Sequence, residues 1–151
     1  MKRILKIVLL LTCIMALSVT TFAEKKKKVT TPPKVVELKQ IAPNTIRITF
    51  DHPVKIDQAT NIKNYWVKNL GANTPDDISF LGNQDSYSDS NTVNQDKAKI
   101  IPKDNLNEAV FIRFKKPIPA GGKYEVKVVN VGDEKHATYT GTNGVMQFTG
   151  K

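Results

Sequence analysis

The two histidines, His52 in "DHP" and His136 in "DEKHATY", are the side chains whose ordinary ionisation falls near neutral pH, so proton chemistry would have to start from them. A nucleophilic mechanism needs such a base beside a serine or cysteine. The single cysteine, Cys13, lies inside an apolar run near the start of the chain. The sequence contains no H-E-x-x-H element and no glycine-rich phosphate loop. Two histidines in unrelated turns also supply too few nitrogen and sulfur ligands for a zinc site. Asp76 and Asp77 in "PDD" read as a loop entering a strand. These residues predict no catalytic group, no metal, no cofactor and no enzyme, with both histidines on the surface.

Two other places could bind. The stretch "GNQDSYSDSNTVNQDK", residues 82–97, offers oxygen donors at Asp85, Ser86, Ser88, Asp89, Asn91 and Asp96, a ligand type that suits calcium. It lacks the mid-loop glycine and the later glutamate of an EF-hand, and its length predicts a mobile surface loop. The sole tryptophan, Trp66 in "NYWVKN", alternates with Tyr65 and Val67. With Tyr65 and Val67 inward, pleating sends Trp66 to the outer face of its strand, near outward Glu125 and Lys127. An exposed aromatic plate flanked by charges has the composition of a protein or sugar contact. A reversed register, or cover from the proline-rich segment near the amino terminus, would instead make Trp66 part of a packed interior.

The amino-terminal segment sets where such surfaces would work. Met1-Lys2-Arg3 precedes the apolar "ILKIVLLLTCIMALSV", which ends at small residues Thr21 and Ala23. That order predicts a secretory signal peptide over 1–23, cleaved after Ala23, with no stable membrane span afterwards. A retained anchor, which needs about 20 apolar residues, and a lipid-modified Cys13 are the rival readings. Cleavage takes Lys2, Arg3 and Lys6 from the 23 basic residues, leaving 20 against 14 acidic ones, a net charge of +6. It also removes the cysteine, so the exported chain has neither disulfide nor thiol. Residues 24–33 then form a flexible leader, with Lys25, Lys26, Lys27 and Lys28 followed by "VTTPP". Four adjacent like charges repel in a compact structure, and the prolines favour extended backbone. The lysines are either a solubilising spacer or an electrostatic tether to anionic wall polymer or lipid headgroups. Export argues against nucleic acid as a partner.

Beyond Pro33 the apolar period is two. "KVVELKQI" places Val36 and Leu38 on one face, and "TIRITF" turns Ile46, Ile48 and Phe50 inward. "AVFIRF" does the same with Val110, Ile112 and Phe114, and "KYEVKVVNV" with Tyr124, Val126 and Val128. "DISFLG", a weaker "AKII" and a closing "VMQFTG" complete about seven short strands, separated by punctuation such as "APN", "PAGG" and "GTNG". The pattern predicts an all-β, antiparallel sandwich over 34–151. "IDQATNIKN" reads as a loop or a single helical turn.

The succession "TIRITFDHPVKIDQATNIKNYWV", then "AVFIRFKKPIPAGGKYEVKVVNVGD", then "MQFTG", resembles the bacterial Ig-like domains of the S-layer-protein (SbsA) type. The shared features fall on Phe50, Pro53, Val54, Asn64, Tyr65, Pro117, Gly121, Tyr124, Asn130, Val131 and Asp133. They are structural motifs, and they imply an Ig-like strand order with "DISFLG" and "AKII" as crossing elements. After Asp133 the sequence "EKHATYTGTNG" departs from the pattern, which leaves the last hairpin open.

Two function classes follow. One is a secreted, non-catalytic Ig-like module of the bacterial cell envelope, contacting another exported protein or anionic cell-wall polymer through Trp66, Glu125, Lys127 or the lysine cluster. The other is a small secreted regulator or inhibitor that holds a soluble protein through the 82–97 loop and Trp66. Both place the protein outside the cell, and neither fixes its oligomeric state.

Overall fold

The computed structural model describes residues 31–151. The expected signal peptide and most of the expected leader, Lys25 to Lys28 included, lie outside the described residues. Seven strands form among the described residues: β1 (Val35–Ala42), β2 (Thr45–Phe50), β3 (Tyr65–Asn69), β4 (Ala98–Pro102), β5 (Ala109–Phe114), β6 (Lys123–Val129) and β7 (Thr142–Thr149). They pair into antiparallel sheets of order β1-β2-β5-β4 and β3-β6-β7. This is the ABED and CFG order of a constant-type immunoglobulin sandwich, with "AKII" in the D position. Among the described residues, an α-helical turn, α1 (Ile56–Ala59), and a 3-10 turn at Ile62–Asn64 bridge from β2 towards β3.

Alternation decides which side chains meet between the sheets. Ile46, Ile48 and Phe50 of β2 and Val110, Ile112 and Phe114 of β5 pack with Tyr65 and Val67 of β3 and Tyr124, Val126 and Val128 of β6. Each large apolar group buried this way contributes about 1.5 to 3 kcal/mol. The fully buried Tyr65 keeps its hydroxyl satisfied by donating to the Ala59 carbonyl at 2.6 Å. Burial disfavours the charged phenolate, so its ionisation is pushed far up.

Three local expectations change. In β1 the pairing with β2 shifts between Val35 and Glu37, and this bulge inserts a residue. Val35, with Leu38, therefore packs on the core, while Val36 faces out. "DISFLG" forms no strand of its own: Asp76 gathers the amides of Ile78 and Ser79 at 3.1 and 2.9 Å, turning the chain just before it meets β3. Phe80 and Leu81 then run beside β3, with the Phe80 amide on the Val67 carbonyl and the Asn69 amide on the Leu81 carbonyl.

The last hairpin begins earlier than "VMQF" suggests, because Asn130 and Asn143 close it. Asn130 takes the left-handed conformation at φ 56°, which asparagine tolerates, and its side chain accepts the Gly141 amide. Asn143 donates to the carbonyls of Val131 and Pro33 at 2.6 and 2.8 Å. That contact fastens the chain entering the domain to the strand that ends it.

Candidate functional site

The outer face of β3, β6 and β7 carries the sequence-predicted cluster. Trp66 stands directly opposite Lys127, and Lys68 opposite Glu125. Tyr65 and Val67 point into the main core, so the expected register holds. The expected open plate does not form, however, because Trp66 is only 7% exposed. It belongs to a second apolar cluster with Leu81 and Val129, flanked by Phe80 and Tyr87, on the outside of the sandwich. A reversed register does not account for this burial. The cover is the 82–97 loop.

The indole N–H donates to the Ser88 carbonyl at 2.9 Å and lies 3.1 Å from Asn91 Oδ1. Tyr87 meets the indole edge-on, with ring centroids 5.9 Å apart. Asn91 also accepts the Ser88 amide and donates to the Ser86 carbonyl, folding the loop tip into a compact turn. Expected as a mobile connection, the loop is bound along the edge of β3, where the Val93 amide donates to the Tyr65 carbonyl.

Charges complete the clasp. Lys127 Nζ lies 4.4 Å from the Tyr87 ring centre and 5.6 Å from that of Trp66, and Lys68 Nζ lies 4.9 Å from Tyr87. The Tyr87 hydroxyl donates to Glu125, whose other oxygen accepts from Gln147 at 3.0 Å. Burial acts to raise the Glu125 carboxyl, but the bonds from Tyr87 and Gln147 and the charges of Lys68 and Lys127 outweigh it, and its ionisation is lowered. Burial and the adjoining carboxylate push the Tyr87 phenol up. Trp66, Glu125 and Lys127 are thus brought together with Tyr87 and Lys68, which the sequence reading missed. Tyr87 is the sole aromatic in the loop, a signal that the loop has something apolar to cover.

The histidines, expected on the surface at unrelated positions, converge on one buried carboxylate. His52 Nε2 lies 3.1 Å from Asp133 Oδ2, and His136 Nδ1 lies 2.8 Å from Asp133 Oδ1. His52 Nδ1 meets Asp51 at 2.8 Å. Asp133 also accepts the amides of Lys135 and His136. Burial works to raise its ionisation, yet these donors win and lower it. Around this knot the Gln58 side chain accepts the Gly132 amide and donates to the Ala137 carbonyl. Gly132 is needed there, since a Cβ would sit 2.0 Å from the His136 carbonyl oxygen. No hydroxyl or thiol is hydrogen-bonded to either imidazole among the described residues. The knot locks the turn after β2 to the connection after β6.

Asp76, of the "PDD" pair, is a second internal hub. It accepts the Tyr124 hydroxyl at 2.6 Å, while Lys97 donates to the carbonyls of Asp76 and Ser79. Of the loop donors considered for calcium, Asp85 accepts the Gly82 amide and Asn91 is occupied with Trp66 and Ser88. Among the described residues no three His, Cys, Asp or Glu side chains are grouped to hold a metal ion.

Comparison with solved structures finds this architecture in a bacterial surface-layer protein, SbsC. Domains 1–6 of SbsC align with 80% of this chain at 16% identity and a TM-score of 0.53, and the alignment spans 14% of that chain. The S-layer protein rSbsC(31-844) aligns with 79% at 19% identity and a TM-score of 0.51, again over 14% of its length. An N-terminal part of SbsC gives 80%, 16% and 0.53, over 24% of its length. At these identities the likeness is one of fold. No protein family and no curated protein matches the chain.

Proposed function

We propose that this protein is a non-catalytic structural module of the bacterial cell envelope, exported by its amino-terminal segment and related in design to the Ig-like domains of S-layer proteins of the SbsA type. The observation that carries the reading is the fold shared with SbsC over four-fifths of the chain. It is supported by the use made of the polar side chains: both histidines, Asp76, Asp133 and the Trp66 clasp bind the chain's own turns and strands. A rigid sandwich whose reactive groups are spent internally acts through its surfaces. The second reading, a small secreted regulator or inhibitor that holds a soluble protein through the 82–97 loop and Trp66, would have to use that loop in its closed form, with the indole N–H on the Ser88 carbonyl.

The test is fractionation of cells expressing the tagged gene at native level. The module reading expects the protein in the wall fraction or the medium, shortened at its amino terminus. Full-length protein confined to the cytosol would overturn it.

A further inference from the structure

The outer face of the four-stranded sheet is the opposite of the closed clasp. Its cross-strand register sets Lys99 directly opposite Arg113, with Thr45 beyond, and in the next row Ile101, Phe111, Arg47 and Lys39. Like charges directly opposite in a ladder destabilise it. Lys99 and Arg113 are both exposed, and neither side chain has an ion-pair or hydrogen-bond partner among the described residues. At their end of the face lies an open cleft of about 570 Å³ lined by Lys99, Arg113, Lys115, Asn44 and Gln95, with Phe114 beneath. No carboxylate lines it. Asp96, the nearest acid along the chain, is not among its walls, and Lys97 is turned inward to the Asp76 and Ser79 carbonyls. Asn44 is fixed, donating to the Phe114 carbonyl at 2.8 Å. The acid in the rows nearby, Glu37, is held by Arg47 at 2.7 Å.

We propose that this face, with the cleft at its Lys99 and Arg113 end, binds an anionic glycan, a sugar polymer carrying phosphate or carboxylate groups. The inference deepens the envelope reading by naming a partner and its site. Adjacent strands lie about 4.8 Å apart, so the face spans about 14 Å and outsizes a single small anion. Its cations fall at both ends, Lys39 on β1 and Lys99, Arg113 and Lys115 at the cleft, as a repeating charge requires. In the row that ends on Lys39, the half-buried Phe111 and Ile101 offer an apolar ledge for the C–H faces of sugar rings. Arg113 can form paired hydrogen bonds to phosphate or carboxylate, and the lysines act as point charges. Polymer binding would also relieve the repulsion between Lys99 and Arg113.

The experiment uses immobilised dextran sulfate as the anionic glycan and dextran as its neutral counterpart. The protein as secreted is compared with a triple variant, Lys99→Gln, Arg113→Gln, Lys115→Gln, and with a control of equal charge, Lys34→Gln, Lys63→Gln, Lys123→Gln. Wild type and control should bind dextran sulfate, salt should weaken that binding, and dextran should not be held. The triple variant should lose about tenfold or more in affinity, equivalent to about 1.4 kcal/mol, with a melting temperature no lower than wild type, since the Lys99–Arg113 repulsion is removed. Amide resonances of 98–99 and 113–115 should move when dextran sulfate is titrated into wild type, a readout that needs no variant. Equal affinity of the triple variant and the control overturns the site. Binding confined to anionic phospholipid vesicles or to DNA overturns the glycan. Either failure leaves the envelope reading to its own fractionation test.

Discussion

Replacing Trp66 with alanine should destabilise the protein by about 3 to 5 kcal/mol, the usual penalty for emptying a buried aromatic site. Trp66 is buried, and it packs in the cluster that holds Leu81, Val129, Phe80 and Tyr87. Its loss also strands the Ser88 carbonyl and Asn91, which the N–H now bridges. With a urea slope of about 1.5 kcal/mol/M, typical of a small domain, the midpoint should fall by about 2 to 3 M. Circular dichroism is the appropriate probe, since the variant has no tryptophan. The damage should also begin locally: protease should cut within 82–97 at urea concentrations where the sandwich is still folded. Tyr65→Ala, by contrast, empties the space between the sheets and should unfold both regions together. A Trp66→Ala midpoint within about 0.3 M of wild type, with no added cleavage in the loop, would refute the clasp.

Tyr124→Phe should cost about 1.5 to 3 kcal/mol, since it removes the hydroxyl donated to the Asp76 carboxylate, and thermal melts would measure it. The lowered ionisation of Asp133 gives stability that is complete above the unfolded carboxyl value of about 3.9 and is lost as pH falls through the folded value; Asp133→Asn should flatten that acid limb in melts taken across pH. Intact-mass measurement should show the exported chain beginning at Glu24, and a retained amino terminus or a lipid on Cys13 would reject the cleavage reading. Replacing Lys25 to Lys28 with serine should weaken retention on anionic wall at low salt and change stability by less than about 0.5 kcal/mol.

Strands were legible wherever alternation was long enough to fix a face. Ile46, Ile48 and Phe50, or Tyr124, Val126 and Val128, announce the inner surface because every second side chain must leave water. The same logic put Trp66 on the correct side of β3. What alternation could not reveal was the fate of an outward residue, which depends on whether a distant loop covers it. The cover here depends on Tyr87 and a few backbone groups within a polar stretch that has no period of its own. Val36 was misplaced because a bulge changes the face without any signature in composition. The histidine knot was illegible for a different reason: 81 residues separate His52 from Asp133, and the strand order alone brings their two turns together.

Co-sedimentation of the purified chain with isolated bacterial cell walls tests the envelope reading most directly. The account predicts saturable binding that high salt releases and that unfolding the sandwich diminishes. A chain left in the supernatant at low salt, yet captured in a defined complex with a soluble protein of the culture medium, would contradict it.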